Sequence, residues 1–120
     1  MGISIGTCVQ ASSGNVANAS AVATLAATLN KTNFLSGFQV TAAGATAAGV
    51  VVGTVTGLLG GTQSFIFTVP AGATVAAQPL VVNFDPPLQA SGNNTAIVVT
   101  LPALGAGNTN AAVSAYGFQT

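Results

Sequence analysis

The sequence predicts an all-β fold, an antiparallel β-sandwich of about seven to eight short strands. Apolar and polar residues alternate with a period of two along much of the chain, as expected for strands that bury one face. Clusters of Gly, Pro, Asn and Ser separate the alternating segments and indicate turns. Val, Thr and Phe are frequent within the segments, which is typical of half-buried strands. The chain of 120 residues fits a single domain.

The clearest alternation lies in residues 62–69. One predicted face carries Phe65, Phe67 and Val69, and the other carries Ser64, Ile66 and Thr68. The same reasoning predicts strands over residues 20–29, 34–41, 50–56, 79–84, 95–101 and 110–118.

Several of these strands have a definite apolar face. The predicted sets are Phe34, Phe38 and Val40; Leu80, Val82 and Phe84; and Ile97, Val99 and Leu101. Gly37 interrupts the first set and indicates a bulge or a close backbone approach. The segment Asp85-Pro86-Pro87 is predicted to stop strand pairing, because proline lacks an amide hydrogen.

Residues 20–29 are the one segment in which a helix competes with a strand. As a strand, the segment places Ala23, Leu25, Ala27 and Leu29 on one face. Its alanines favour a helix. Before it, residues 1–19 are rich in Ser, Asn and Gly and are predicted to form an N-terminal arm or an edge segment. Residues 20–120 then form the sandwich, and the strand count fits a jelly-roll type.

The near-absence of charge excludes most chemistry. Lys31 and Asp85 are the only charged side chains, and the chain has no His. One carboxylate cannot form a catalytic acid–base pair, and one lysine cannot neutralise a row of phosphates. We therefore expect no enzyme activity, no cofactor, no metal, no small-molecule substrate and no nucleic-acid partner. A chain of zero net charge is instead suited to association.

Cys8 is the single cysteine, so no intramolecular disulfide is possible. We interpret it as a small, weakly polar packing residue, because a nucleophilic cysteine needs a base that this sequence lacks. Met1-Gly2-Ile3-Ser4 does not resemble the start of a signal peptide, so we expect synthesis in the cytoplasm without export.

Residues 42–60 are uncharged, and Gly49, Gly53 and Gly57 have the spacing of packed membrane helices. The segment is nevertheless rich in glycine and β-branched residues, and no Trp, Tyr, Lys or Arg flanks it. We therefore favour strands and no membrane association here. Near the end of the chain, Tyr116 and Phe118 fall on one face of the last predicted strand. They fit either the core or an interface, because aromatic residues are favoured at interface centres.

The whole chain resembles the decoration or cement proteins of tailed-phage capsids. The likeness lies in strand order and in five segments: FLSGFQVT from Phe34, FTVPAG from Phe67, NTAIVVTLP from Asn94, GAGNT from Gly105 and YGFQ from Tyr116. The resemblance implies a β-sandwich, often a homotrimer, that binds the major capsid protein and reinforces the shell. It also implies a location on the virion surface, after synthesis in the host cytoplasm. It assigns no role to individual residues.

Two other classes of function stay open. A β-sandwich binding module of the fibre or adhesin type would need an aromatic or polar cluster on its loops, and the loops here are mostly Gly, Ala, Ser and Asn. A membrane or surface-active self-assembling protein would depend on detergent or form fibres.

Overall fold

The computed structural model describes residues 6–104 and 110–120, and within them it contains eight β-strands and no helix. In chain order the strands are β1 (Thr7–Ser12), β2 (Ala21–Leu25), β3 (Asn33–Ala43), β4 (Gly49–Thr56), β5 (Gln63–Val69), β6 (Leu80–Gln89), β7 (Ile97–Leu101) and β8 (Asn110–Gln119). The GAGNT segment at 105–109 lies outside the described residues.

The strands form two four-stranded sheets. Sheet A has the order β1-β8-β3-β6, and sheet B has the order β2-β7-β4-β5. Every neighbouring pair of strands is antiparallel. The predicted all-β antiparallel sandwich is therefore confirmed.

The core lies between the sheets and combines aliphatic side chains with the rings of Phe38 and Phe67. Its largest fully buried apolar side chains come from both sheets: Leu25, Leu35, Val40, Val55, Ile97, Val99, Leu101 and Val113. The inward set on β7 is confirmed, and on β5 Phe67 and Val69 are buried as predicted. On β6, the predicted inward residues Leu80, Val82 and Phe84 are half-buried and pack against this core. Period-two patterning thus identified the buried face of these strands correctly.

The first predicted strand of the sandwich is shorter than expected. Ala23 and Leu25 are buried, but β2 ends at Leu25, and Leu29 is 74% exposed. The reason is the partner strand, because Leu25 pairs with Ile97 and β7 begins there. Beyond Leu25 no described strand pairs with this segment, so the prediction that Ala27 and Leu29 continue the face of Ala23 and Leu25 was wrong, and residues 26–29 are not helical.

Gly37 marks a bulge, as predicted. The register of β3 shifts between Leu35 and Gly37 against both of its neighbours. The bulge reverses the alternation, so that Phe38 is buried while Phe34 pairs with Phe118 on the outer side of sheet A. The expectation that Phe34 shares a face with Phe38 was therefore wrong, because the extra residue lies between them.

The two prolines of β6 interrupt its pairing but do not end the strand. β6 pairs with β3 up to Asn83 and again from Leu88. The residues between them, including Asp85, leave the ladder, and the strand then continues to Gln89. The prediction that Asp85-Pro86-Pro87 stops strand pairing is confirmed for these three residues. It is wrong for β6 as a whole, because the strand pairs with β3 again from Leu88.

The stretch considered as a membrane span, residues 42–60, contains the end of β3 and the whole of β4. Within the described part of the chain, no helix is long and apolar enough to cross a bilayer.

Asn33 joins the two sheets at one end of the sandwich. Its side chain is 1% exposed, and its Nδ2 donates to the carbonyl oxygens of Leu25, Ala26 and Thr95 at 3.2, 3.0 and 3.0 Å. These carbonyls lie where the chain leaves β2 and approaches β7. One amide on sheet A thus provides hydrogen bonds for a turn region of sheet B.

We predict that Asn33→Ala lowers the free energy of unfolding by about 2 kcal/mol, because three carbonyl oxygens lose a buried donor. Urea denaturation monitored by circular dichroism measures the change. Asn15→Ala is the matched control, since Asn15 is exposed. A loss below about 0.5 kcal/mol for Asn33→Ala would show that water replaces the amide without cost.

Candidate interaction surfaces

The two sheets present outer faces of different chemistry. The outer face of sheet A is built by alternate residues of its four strands, and these are mostly neutral polar and aromatic: Cys8, Gln10, Ser12, Phe34, Gln39, Thr41, Val81, Asn83, Ala112, Ser114, Tyr116 and Phe118.

Tyr116 and Phe118 both lie on this outer face of sheet A and are half-buried. Neither ring is in the interior between the sheets, where the inner face of β8 contributes Ala111, Val113 and Ala115. The two rings lie on one face of the strand, as the alternation of the sequence predicts. The alternation could not tell that this face points outward.

The ring of Phe118 stacks on that of Phe34, with centroids 4.8 Å apart and planes inclined by 9°. The two residues are directly opposite in the β3–β8 ladder. Cys8, which is exposed, pairs with Phe118 from the other side. The bulge at Gly37 makes this stack possible, because it turns Phe34 outward.

Tyr116 reaches across β3 to β6. Its hydroxyl donates to Oδ1 of Asn83 at 2.6 Å. Gly37 lies between them, and a Cβ there would come within 2.7 Å of the Tyr116 hydroxyl and 2.9 Å of Asn83 Oδ1. A larger residue at position 37 would therefore displace this hydrogen bond. The outer face of sheet A is thus tied together by its own side chains.

The outer face of sheet B consists only of β-branched and hydroxyl residues. It comprises Val22, Thr24, Val50, Val52, Thr54, Thr56, Ser64, Ile66, Thr68, Val98 and Thr100. None of these side chains carries a charge or an amide.

The apolar residues of this face concentrate on β4 and β5. Ile66 is 69% exposed, Val50 66% and Val52 53%, and Val52 and Ile66 are directly opposite each other. Isolated exposed aliphatic residues are ordinary, whereas neighbouring ones on one sheet face make that face a candidate contact surface. The alternation of residues 62–69 identified Ile66 as outward. The consecutive valines Val50-Val51-Val52 indicated that β4 would also expose apolar side chains. That β4 pairs with β5, which brings Val52 beside Ile66, could not be predicted.

The two charged side chains lie in different parts of the fold. Lys31 lies in the turn between β2 and β3, Asp85 lies in the unpaired part of β6, and both are exposed. Within residues 6–104 and 110–120, no three His, Cys, Asp or Glu residues come together. The two outer faces and the sheet edges are candidate interaction surfaces.

Comparisons of the chain with protein families, with curated proteins and with solved structures found no match.

We predict that Phe34→Ala and Phe118→Ala are coupled. A double-mutant cycle should give an interaction of about 0.5–1.5 kcal/mol in the free energy of unfolding, the usual size for a stacked aromatic pair. The control cycle combines Phe34→Ala with Phe84→Ala, since Phe84 lies on the inner side of sheet A. That control should be additive, and equal coupling in both cycles would mean that the stack contributes nothing specific.

Proposed function

We propose that this chain is a non-enzymatic structural virion protein, a decoration protein that binds and stabilises a phage capsid shell as a homo-oligomer. The observation that carries the proposal is the outer face of sheet B. Val50, Val52 and Ile66 are exposed there, on a face with no charged side chain. Burial of such a surface against a protein partner is favourable by the hydrophobic effect. The partner that we propose is the major capsid protein.

The strand order supports a jelly-roll assignment for the sandwich. The first strand pairs with the last, and β2–β7, β3–β6 and β4–β5 nest inside that pair. Successive nested pairs alternate between sheet A and sheet B. An eight-strand, two-sheet jelly roll is common in viral capsid proteins and in lectins. Because this fold serves several functions, it supports the proposal only together with the surface chemistry.

The chemistry of the surface suits a particle that is exposed to variable surroundings. Contacts formed by valine, isoleucine, threonine and serine do not depend on ion pairs, so they are little affected by salt. With one Lys and one Asp in the chain, few side chains change charge with pH. We propose a location on the outer surface of the capsid, after synthesis in the host cytoplasm. The trimeric state implied by the resemblance stays a prediction.

A binding module of the fibre or adhesin type is the second candidate, and the outer face of sheet A favours it. There, Tyr116 and the Phe34–Phe118 stack lie beside the neutral amides of Gln10 and Gln39. Rings flanked by neutral hydrogen-bonding groups are the chemistry of a site for an uncharged ligand. In this chain the aromatic rings lie on the outer face of sheet A. For a binding module we expected an aromatic or polar cluster on the loops.

The first test is the location of the chain. Phage particles from cells that encode it would be purified by density-gradient banding, and its amount relative to the major capsid protein would be measured by mass spectrometry. We expect a fixed ratio that survives a wash in molar salt. Recovery of the chain only in the free soluble fraction or with membranes would contradict the decoration role.

The second test addresses the surface that binds. Recombinant protein would be added back to particles that lack it, and binding would be measured by co-sedimentation. We expect Val52→Lys to weaken binding by at least about tenfold, because a lysine would be desolvated in an apolar contact. Val81→Lys is the matched control, since Val81 is 55% exposed and lies on sheet A. Equal loss with both variants, or with neither, would argue against sheet B as the docking face.

A further inference from the structure

β5 is an edge strand that carries no residue of the kinds that usually block pairing with another strand. It is the last strand of sheet B, and β4 is its only neighbour among the described strands. Its seven residues, Gln63–Val69, include no charge, no proline and no glycine. The free side of such a strand presents a row of unpaired backbone N–H and C=O groups to any other strand.

Of the other three sheet edges, β6 differs from β5 in composition, whereas β1 and β2 differ from it in length only. β6 is broken by Pro86 and Pro87, which lack amide hydrogens, and it carries Asp85. β1 has six residues and β2 has five. Short strands and prolines are the usual means by which proteins prevent edge pairing. The prolines and the charge that oppose strand pairing at β6 are missing from β5. The residues of β5 are those typical of a strand with neighbours on both sides.

The side chains of β5 continue the exposed apolar surface to this edge. Ile66, at the middle of the strand, is 69% exposed, and Val52 lies directly beside it on β4. Ser64 and Thr68 flank Ile66 on the same face, while Phe65 and Phe67 point to the inner side. A strand added beside β5 would thus extend both the hydrogen-bonded ladder and the apolar surface.

We propose that β5 pairs with β5 of a second copy of this chain, antiparallel and about a two-fold axis at Ile66. The two B sheets then become one continuous eight-stranded sheet. A second copy fits for two reasons. The chain has zero net charge, so copies do not repel each other, and an antiparallel strand pair can be self-complementary.

The side chains select the register. With Ile66 opposite Ile66 of the second copy, Ser64 faces Thr68 and Phe65 faces Phe67. These are a hydroxyl pair and an aromatic pair, both favourable across strands. This register uses all seven residues of each strand. A shift by one residue would place inward residues opposite outward ones, and a shift by two would leave residues at each end unpaired.

The contact does not depend on the capsid role, but it adds to it. Two-fold pairing places two outer faces of sheet B side by side in a single surface, which doubles the area offered to a shell. A trimer, if it forms, can carry this contact only between trimers, because a two-fold axis joins copies in pairs.

Disulfide trapping tests the contact directly. In a Cys8→Ser background, Ile66→Cys and Val52→Cys variants would be oxidised and examined on non-reducing gels. Antiparallel neighbours place the two position-66 Cα atoms about 4.5–5.5 Å apart, within disulfide range. Val52 lies one strand further in, so its two copies would be about 14 Å apart, three strand spacings. We expect a cross-linked dimer for Ile66→Cys and none for Val52→Cys. Equal cross-linking of both, or of neither, would overturn the proposal.

Light scattering on a sizing column supplies the second measurement. We expect the wild type to have the mass of an even-numbered oligomer, and Ile66→Lys to raise the dissociation constant by at least about tenfold, because two lysines would face each other. Val81→Lys, at a comparably exposed position on sheet A, should leave the mass unchanged. Both lysine variants should keep the wild-type circular dichroism spectrum in the absence of urea, because both side chains are exposed in the single chain.

The outcomes separate this inference from the capsid proposal. A wild-type monomer, or a lone trimer in which position 66 does not cross-link, overturns the two-fold contact even if the chain bands with particles. A dimer that is absent from particles supports the contact and contradicts the decoration role. Cross-linking of Ile66→Cys only to a capsid protein within particles would identify a foreign strand at β5 and overturn pairing with a second copy.

Discussion

β3 and β8 pair at the centre of sheet A over almost their whole length, and the other features of the sandwich depend on this ladder. The two strands contain 11 and 10 residues and remain in register from Asn33–Gln119 to Ala43–Asn110, apart from one bulge. Their inward residues Leu35, Val40 and Val113 are fully buried against sheet B. With only two charged side chains in the chain, backbone pairing and aliphatic burial provide nearly all of the stabilisation.

The bulge within that ladder determines which side chains lie on the outer face of sheet A. It turns Phe34 outward to stack on Phe118, and Gly37 leaves room for Tyr116 to reach Asn83. These contacts hold the outer side chains of three strands together. In the described part of the chain, the outer face of sheet B is an array of β-branched and hydroxyl residues. The two faces therefore suit different uses: a structured aromatic surface on one side and an apolar contact surface on the other.

The edge strands of the two sheets also differ from each other. Prolines interrupt β6 at the edge of sheet A, whereas β5 at the edge of sheet B lacks any residue that opposes pairing. Three features make sheet B a candidate surface for association: the unpaired edge of β5, the exposed apolar residues of the outer face, and the zero net charge of the chain. The chain's few ionisable groups make such association a matter of shape and burial rather than of charge pairing.

The sequence by itself determined the fold class and the buried faces of β5 and β7. Alternation in β5, β6 and β7 reports the inner face directly, because successive side chains of a strand point to opposite sides. The bulge at Gly37 was also visible, although its effect on Phe34 was not. Only the tertiary structure decided where β2 ends, which way Tyr116 and Phe118 point, and that Val52 lies beside Ile66. Those features depend on which distant strands become neighbours, and the local pattern of a strand carries no information about its partner.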